Sequence, residues 1–270
     1  VVEQQIRTLF YNLPDSARPL VLGKLDAGGA PLLPAQGELR PSRIAGVLAQ
    51  WLARHKPALD RRSLLPGFAP AALLANAADG VRRLPYFCSG CPHNSSTKVP
   101  QGSRAQAGIG CHFMASWMDR DTTGLIQMGG EGVDWVAHSM FSATPHVFQN
   151  LGDGTYFHSG ILAIRQAIAG RANITYKILY NDAVAMTGGQ PIDGSLTVDA
   201  IAWQVHAEGA KAIAVVSDAP EKYAGLHGRF PPPATFHGRE DLDQVQRRLR
   251  DVKGVTVLIY DQTCAAELRR

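Results

Sequence analysis

Apolar residues along this 270-residue chain fall into two kinds of run. Over residues 41–55, Ile44, Val47, Leu48, Trp51 and Leu52 recur on one helical face, and Pro41 stands where a helix can begin. Leu242, Val245, Leu249 and Val252 form a second such stripe. Residues 1–12, residues 198–208 and the run that leaves Gly154 also read as helices. Shorter, denser apolar runs at 146–151, 174–180, 210–217 and 255–260 have the pattern of strands buried on both faces. A short strand is expected over 19–24, ahead of the turn-rich 26–34. The alternation of strand and helix predicts an α/β fold, a mostly parallel sheet with helices on both faces. It starts near Leu84. Residues 1–83 are expected to form a helical and irregular extension, with a proline-containing linker or wrapping arm over 57–83, and residues 231–233, all proline, a stiff link.

Ligands of such sheets bind beyond the carboxyl ends of the strands. The run at 146–151 leads into Gly152, Asp153 and Gly154, and the run at 174–180 leads into Asn181, after 26 intervening residues. This order puts Asp153 and Asn181 on the same edge, at the ends of successive strands. Glycines there let the backbone approach a diphosphate at a helix N-terminus. A carboxylate and an amide oxygen suit Mg²⁺, which takes few protein ligands alongside phosphate oxygens. On the motif alone, a Gly-Asp-Gly turn beside an unrelated Asn is the competing reading. Gly129, Gly130 and Gly132 permit close backbone approach. His93, His112 and His158 are candidates to contact a diphosphate or a substrate carboxylate, with His158 foremost at the expected helix start, although a lone histidine is more often a hydrogen-bonded structural group.

Cys88 and Cys91 form a Cys-x-x-Cys pair, Cys111 follows after 19 residues, and Cys264 lies just beyond the last strand. A thioredoxin-like pair normally opens a helix after a strand, whereas Pro92 and Asn94 suggest a loop. A centre with four thiolates uses every cysteine. Zinc and a [4Fe-4S] cluster both accept that set, and spacing alone does not choose.

Composition changes this picture little. Hydrophobic residues make up 45% and charged residues 19%, and the net charge of +4 gives no reason to expect nucleic acid. No apolar run has the length of a membrane helix, and the first residues lack a signal pattern, so a cytoplasmic protein with no membrane contact is expected. The start at Val1 instead of Met, and an end soon after the last strand, suggest a segment of a longer polypeptide.

Several motifs then occur in a fixed order. FCSGCPHNSSTKVPQGSRAQAGIGCHFM, the MGGEG at 128–132, FQNLGDGTYFHSG, ITYKILYNDAVAMTGGQP and the terminal Cys264-Ala265 resemble the thiamine diphosphate-binding part of the indolepyruvate ferredoxin oxidoreductases, within the wider 2-oxoacid:ferredoxin oxidoreductases. The resemblance covers residues 84–270. It implies a thiamine diphosphate-binding fold in which Gly152, Asp153, Gly154, Gly129, Gly130 and His93 border the cofactor. Asp153, Asn181 and the carbonyl of Ala183 would hold Mg²⁺, although Asp182 stands where the pattern prefers a second Asn. Cys88, Cys91, Cys111 and Cys264 would hold a [4Fe-4S] cluster. The implied reaction is oxidative decarboxylation of an aromatic 2-oxoacid with coenzyme A, electrons passing to ferredoxin or another acceptor. A pyrimidine-binding domain or subunit would complete the site within an oligomer. A non-redox decarboxylase, an oxidoreductase of other specificity and a non-catalytic zinc module are the alternatives.

Overall fold

A computed structural model of the protein describes residues 2–36, 39–63, 84–192, 194 and 196–269. The chain divides into two compact units, Val1–Arg83 and Leu84–Arg270.

In the first unit, helices α1 (Val2–Phe10) and α2 (Pro41–His55) form where the apolar stripes place them, and Pro41 opens α2. The strand expected over 19–24 is absent. The amide of Lys24 donates to Glu3 Oε2 at 2.9 Å, and a lone bridge joins Leu25 to Pro31. Asp26 Oδ1 accepts from the amides of Gly28 and Ala30, so a side chain satisfies the backbone of the turn that follows. Most of the linker expected over 57–83 lies outside the described residues.

The second unit is built on a seven-stranded, all-parallel sheet. Its strands are β1 (Ala105–Gln106), β2 (Thr122–Thr123), β3 (Val147–Gly152), β4 (Ile174–Tyr180), β5 (Ile213–Ser217), β6 (Ala234–Gly238) and β7 (Val255–Asp261), in the order β2-β1-β3-β4-β7-β5-β6. Strands β3, β4, β5 and β7 are buried almost throughout, which explains their dense apolar character. β1, β2 and β6 went unpredicted. The first two are only two residues long, and β6 is a half-buried edge strand directly after three prolines.

The helices are α3 (His93–Ser96), α4 (Val133–His138), α5 (Asp153–Thr155), α6 (Ile161–Ala169), α7 (Val198–Glu208) and α8 (Leu242–Asp251). A π turn, Tyr156–Gly160, joins α5 to α6. On one face, Leu151, Ile174, Tyr176, Ile178, Val257 and Ile259 pack with side chains of α4, α6 and α7. Opposite, Leu179, Leu258 and Tyr260 pack against Leu242, Val245 and Leu249 of α8. The segment after Cys91 departs from the loop expected there. It winds into α3 directly after Pro92, since proline is tolerated at the start of a helix. No described helix is long and apolar enough to cross a membrane.

Candidate cofactor site at the carboxyl edge

β3 and β4 are register neighbours, Gly152 opposite Leu179, so their ends deliver Asp153 and Asn181 side by side. The Asp153 carboxylate is 3% exposed. Its Oδ2 accepts from the amides of Asn181 and Asp182, each at 2.8 Å, and its Oδ1 from the amide of Gly154 at 2.9 Å. Burial pushes its pKa up to about 6, against the lowering effect of those three amides. Asn181 Oδ1 accepts from the Ala183 amide at 3.2 Å. Asp182 takes a positive φ of 57°, which turns its side chain into solvent and leaves its amide for Asp153.

A cavity of about 350 Å³ opens at this edge. Gly152, Asp153, Gly154, Asn181 and Ala183 line it, together with His93, Cys111 and His112. Thr187 closes one side, where its hydroxyl donates to Gln190 Oε1 at 2.7 Å and returns the Thr-Gly-Gly-Gln segment on itself. The donor set suits Mg²⁺ and a diphosphate: one anchored carboxylate, one amide oxygen, and room for phosphate oxygens to fill the remaining positions. Glycines shape the floor. A Cβ on Gly110 would lie 2.6 Å from the His112 ring, so that position admits the imidazole only as glycine, whereas one on Gly152, 3.2 Å away, would press the ring by a few tenths of an ångström. His93 and His112 are buried and neutral, with pKa values lowered by burial to about 4 and about 3, and His112 Nε2 has no partner.

Three predicted residues stand elsewhere. Gly129 packs against Ser159 and Gly130 against Gln127, while Met128 is the residue of that loop that reaches the cavity. His158 is exposed on the π turn and its Nδ1 bonds Ser159 Oγ at 2.7 Å. The π turn swings it out of the cavity lining, which helical spacing from Gly154 could not foresee.

Sequence reasoning missed Glu131. This fully buried carboxylate accepts from the Gly129 amide at 2.6 Å and the Ile109 amide at 3.4 Å, and its own carbonyl accepts from Tyr176 Oη at 3.1 Å. It therefore ties the Met128 loop and the Cys111 loop to β4. An acidic residue inside a glycine-rich loop was the available signal. Glu131→Gln leaves one acceptor oxygen for two converging amides and is expected to destabilise the protein by about 1–3 kcal/mol. Chemical denaturation reads this directly, and an unchanged midpoint would remove Glu131 from the role.

The cysteines converge from three segments, and all four thiols are free. The Cys91 amide donates to the Cys88 carbonyl at 3.0 Å and the Cys264 amide to the Asn181 carbonyl at 3.4 Å, which fixes Cys264 beside the end of β4. Burial raises the Cys91 thiol to about 11, and repulsion from Cys111, Cys264 and Cys88 adds to the effect. Cys111 is raised by burial and by Cys264 and Cys88. The four are thus near enough to act on one another. Even so, among the described residues no three His, Cys, Asp or Glu side chains form a ready cage for a single metal ion. The thiols match in number the four thiolates that a [4Fe-4S] cluster takes, and in this structure they do not close on one point.

Comparison with known proteins gives this geometry its relatives. The chain is 24% identical to indolepyruvate oxidoreductase subunit IorA of Thermococcus kodakarensis, in an alignment that covers 98% of this chain and 40% of that protein. Its similarity is to indolepyruvate oxidoreductase subunits. The IorA subunit of Archaeoglobus fulgidus is 28% identical over 70% of the chain and 30% of its own length. The chain therefore spans less than half of these curated IorA relatives. No family model matches it. Among solved structures, a 2-oxoglutarate:ferredoxin oxidoreductase from Magnetococcus marinus shares the fold, with a TM-score of 0.51 and 17% identity over 68% of this chain and 66% of that one.

Proposed function

We propose that this chain is the thiamine diphosphate- and [4Fe-4S]-binding part of an oxidoreductase that converts an aromatic 2-oxoacid and coenzyme A to acyl-CoA and CO₂. The two electrons leave for ferredoxin or another acceptor, and the coenzyme A thiol proton is released. The observation that carries this reading is one cavity lined by both Asp153 and Cys111, which puts a metal–diphosphate site beside a thiol of the four-cysteine group. The names of the IorA relatives support an indolepyruvate-like substrate. The Magnetococcus enzyme, whose structure is described with coenzyme A and succinyl-CoA bound, supports the acyl acceptor.

Bound thiamine diphosphate supplies the carbanion chemistry of decarboxylation, and a cluster supplies one-electron steps. The chain's own residues do the rest. Asp153, Asn181 and the Ala183 carbonyl would hold Mg²⁺ against the diphosphate. The buried, neutral His93 and His112 keep positive charge off the cavity wall. Cys88, Cys91, Cys111 and Cys264 would release their protons to solvent on binding iron, since only thiolates ligate.

The group that activates the cofactor's aminopyrimidine is assigned to a pyrimidine-binding domain or partner subunit. Among the described residues, those that line the cavity include no glutamate. Anaerobic purification with visible absorption and metal analysis tests the reading: brown protein with about four irons per chain supports it, and stoichiometric zinc rejects it. The isolated chain, loaded with cluster, Mg²⁺ and thiamine diphosphate, is expected not to turn over arylpyruvate and coenzyme A. Robust turnover would remove the need for a partner.

A further inference from the structure

Two polar side chains stand side by side in the middle of β3 and β4, where the other residues are mostly apolar. Lys177 of β4 is fully buried, and its Nζ donates to the Lys98 carbonyl at 2.9 Å. That gives one acceptor to a group with three donors. Asn150, its register neighbour on β3, is equally buried, and neither its Oδ1 nor its Nδ2 has a partner. Side chains alternate along each strand, so Phe148 shares the face of Asn150. Lys177 Nζ lies 5.8 Å from the centre of the Phe148 ring, which shows the ammonium leaning across β3.

No negative charge meets it. Among the described residues no carboxylate pairs with Lys177, and its neighbours on this face, Thr175, Leu179, Thr256 and Leu258, carry none. The charge that does reach it has the same sign. Arg120 Nη1 donates to Thr97 Oγ1 at 2.9 Å, one residue before the carbonyl that holds Lys177, and to the Asn94 carbonyl at 2.8 Å. Burial, then repulsion from Arg120, brings the Lys177 pKa down to about 7. A buried ammonium is costly unless an opposite charge joins it. Water alone would satisfy the Asn150 amide and leave that charge uncompensated.

We propose that Lys177 and Asn150 form a buried anion site that takes a halide, chloride being the one at hand in the cell. Lys177 Nζ and Asn150 Nδ2 supply the N–H donors, Arg120 adds favourable charge from beyond Thr97, and a water beside the ion donates to Asn150 Oδ1. Both side chains are sealed from solvent, which restricts the site to a small ion. Neither lines the cofactor cavity, so the site is separate from Asp153 and Asn181 and stands independently of the proposed function. A neutral lysine is the competing account of the same burial, and it predicts no response to halide.

A bromide soak of crystals of the full-length protein is expected to give an anomalous peak within hydrogen-bonding distance of both Lys177 Nζ and Asn150 Nδ2. In solution the wild type is expected to melt about 2–4 °C higher in chloride than in gluconate at matched ionic strength, because a ligand that binds only the folded state stabilises it. Lys177→Met removes the charge at similar side-chain length and is expected to lose that difference. Should it not fold, Asn150→Leu removes the other donor at similar size and reads the same loss. Water without bromide at this position overturns the proposal, as does a wild-type melting temperature that ignores chloride. A folded Lys177→Met or Asn150→Leu that keeps the full chloride effect overturns it too.

Discussion

Asp153→Asn is expected to weaken Mg²⁺-dependent binding of thiamine diphosphate by at least about a hundredfold, because even residues that only support a metal ligand contribute 10- to 100-fold. Two effects combine at this position. The variant loses the negative charge that would face the metal, and its amide group sets N–H donors against backbone amides that now converge on a carboxylate. Titration calorimetry of the wild type and variant, with and without Mg²⁺, reads the loss. Retained Mg²⁺-dependent affinity would take Asp153 out of the metal site.

The pKa of about 6 adds a pH signature. The metal needs the ionised carboxylate, so wild-type affinity is expected to fall as pH drops below about 6, approaching tenfold per unit. Stability of the apoprotein runs the other way. The folded pKa lies above the unfolded value of about 3.9, so the Asp153 contribution is complete below pH 4 and disappears as pH rises through about 6. A shift of this size corresponds to about 2–3 kcal/mol. Denaturation of the apoprotein between pH 4 and 7, compared with Asp153→Asn, isolates that contribution.

Cys111→Ser is expected to reduce bound iron from about four per chain to near zero and to abolish the visible absorption of the anaerobic protein. The serine hydroxyl is a harder donor with a far higher pKa than a thiol, and the position has no alternative sulfur because all four cysteines are used. Cys111 is the thiol that lines the cavity, so its loss should leave Mg²⁺ and diphosphate binding at Asp153 within a few fold of wild type. That separation matters. Loss of iron with intact cofactor binding establishes two adjacent sites, whereas full iron retention would remove Cys111 from the ligand set. Cys264→Ser follows the same logic from the far end of the chain, where a backbone bond ties Cys264 to the Asn181 carbonyl.

Much of this arrangement was legible before any coordinates. β4, α2 and α7 occupy the residues their apolar patterns mark, because strands covered on both faces and helices with one buried stripe leave strong periodic signals. The strand expected at 19–24 did not form; the Lys24 amide found a side-chain acceptor in Glu3 and the turn that follows is held by Asp26, local choices that apolar spacing does not report. His158 looked well placed by counting from Gly154, yet the π turn altered the helical register and turned it outward.

The order of strand ends along the chain by itself brought Asp153 and Asn181 to one edge, since a right-handed parallel crossover leaves little freedom there. The motif likewise marked all four cysteines. Only the tertiary structure decided that Met128, and not Gly129 or Gly130, faces the cavity, that Glu131 links three segments, and that Lys177 sits buried without a carboxylate. Each of these depends on contacts between residues far apart in the chain, whose burial and unmet hydrogen bonds become visible only once the sheet and its loops have closed around them.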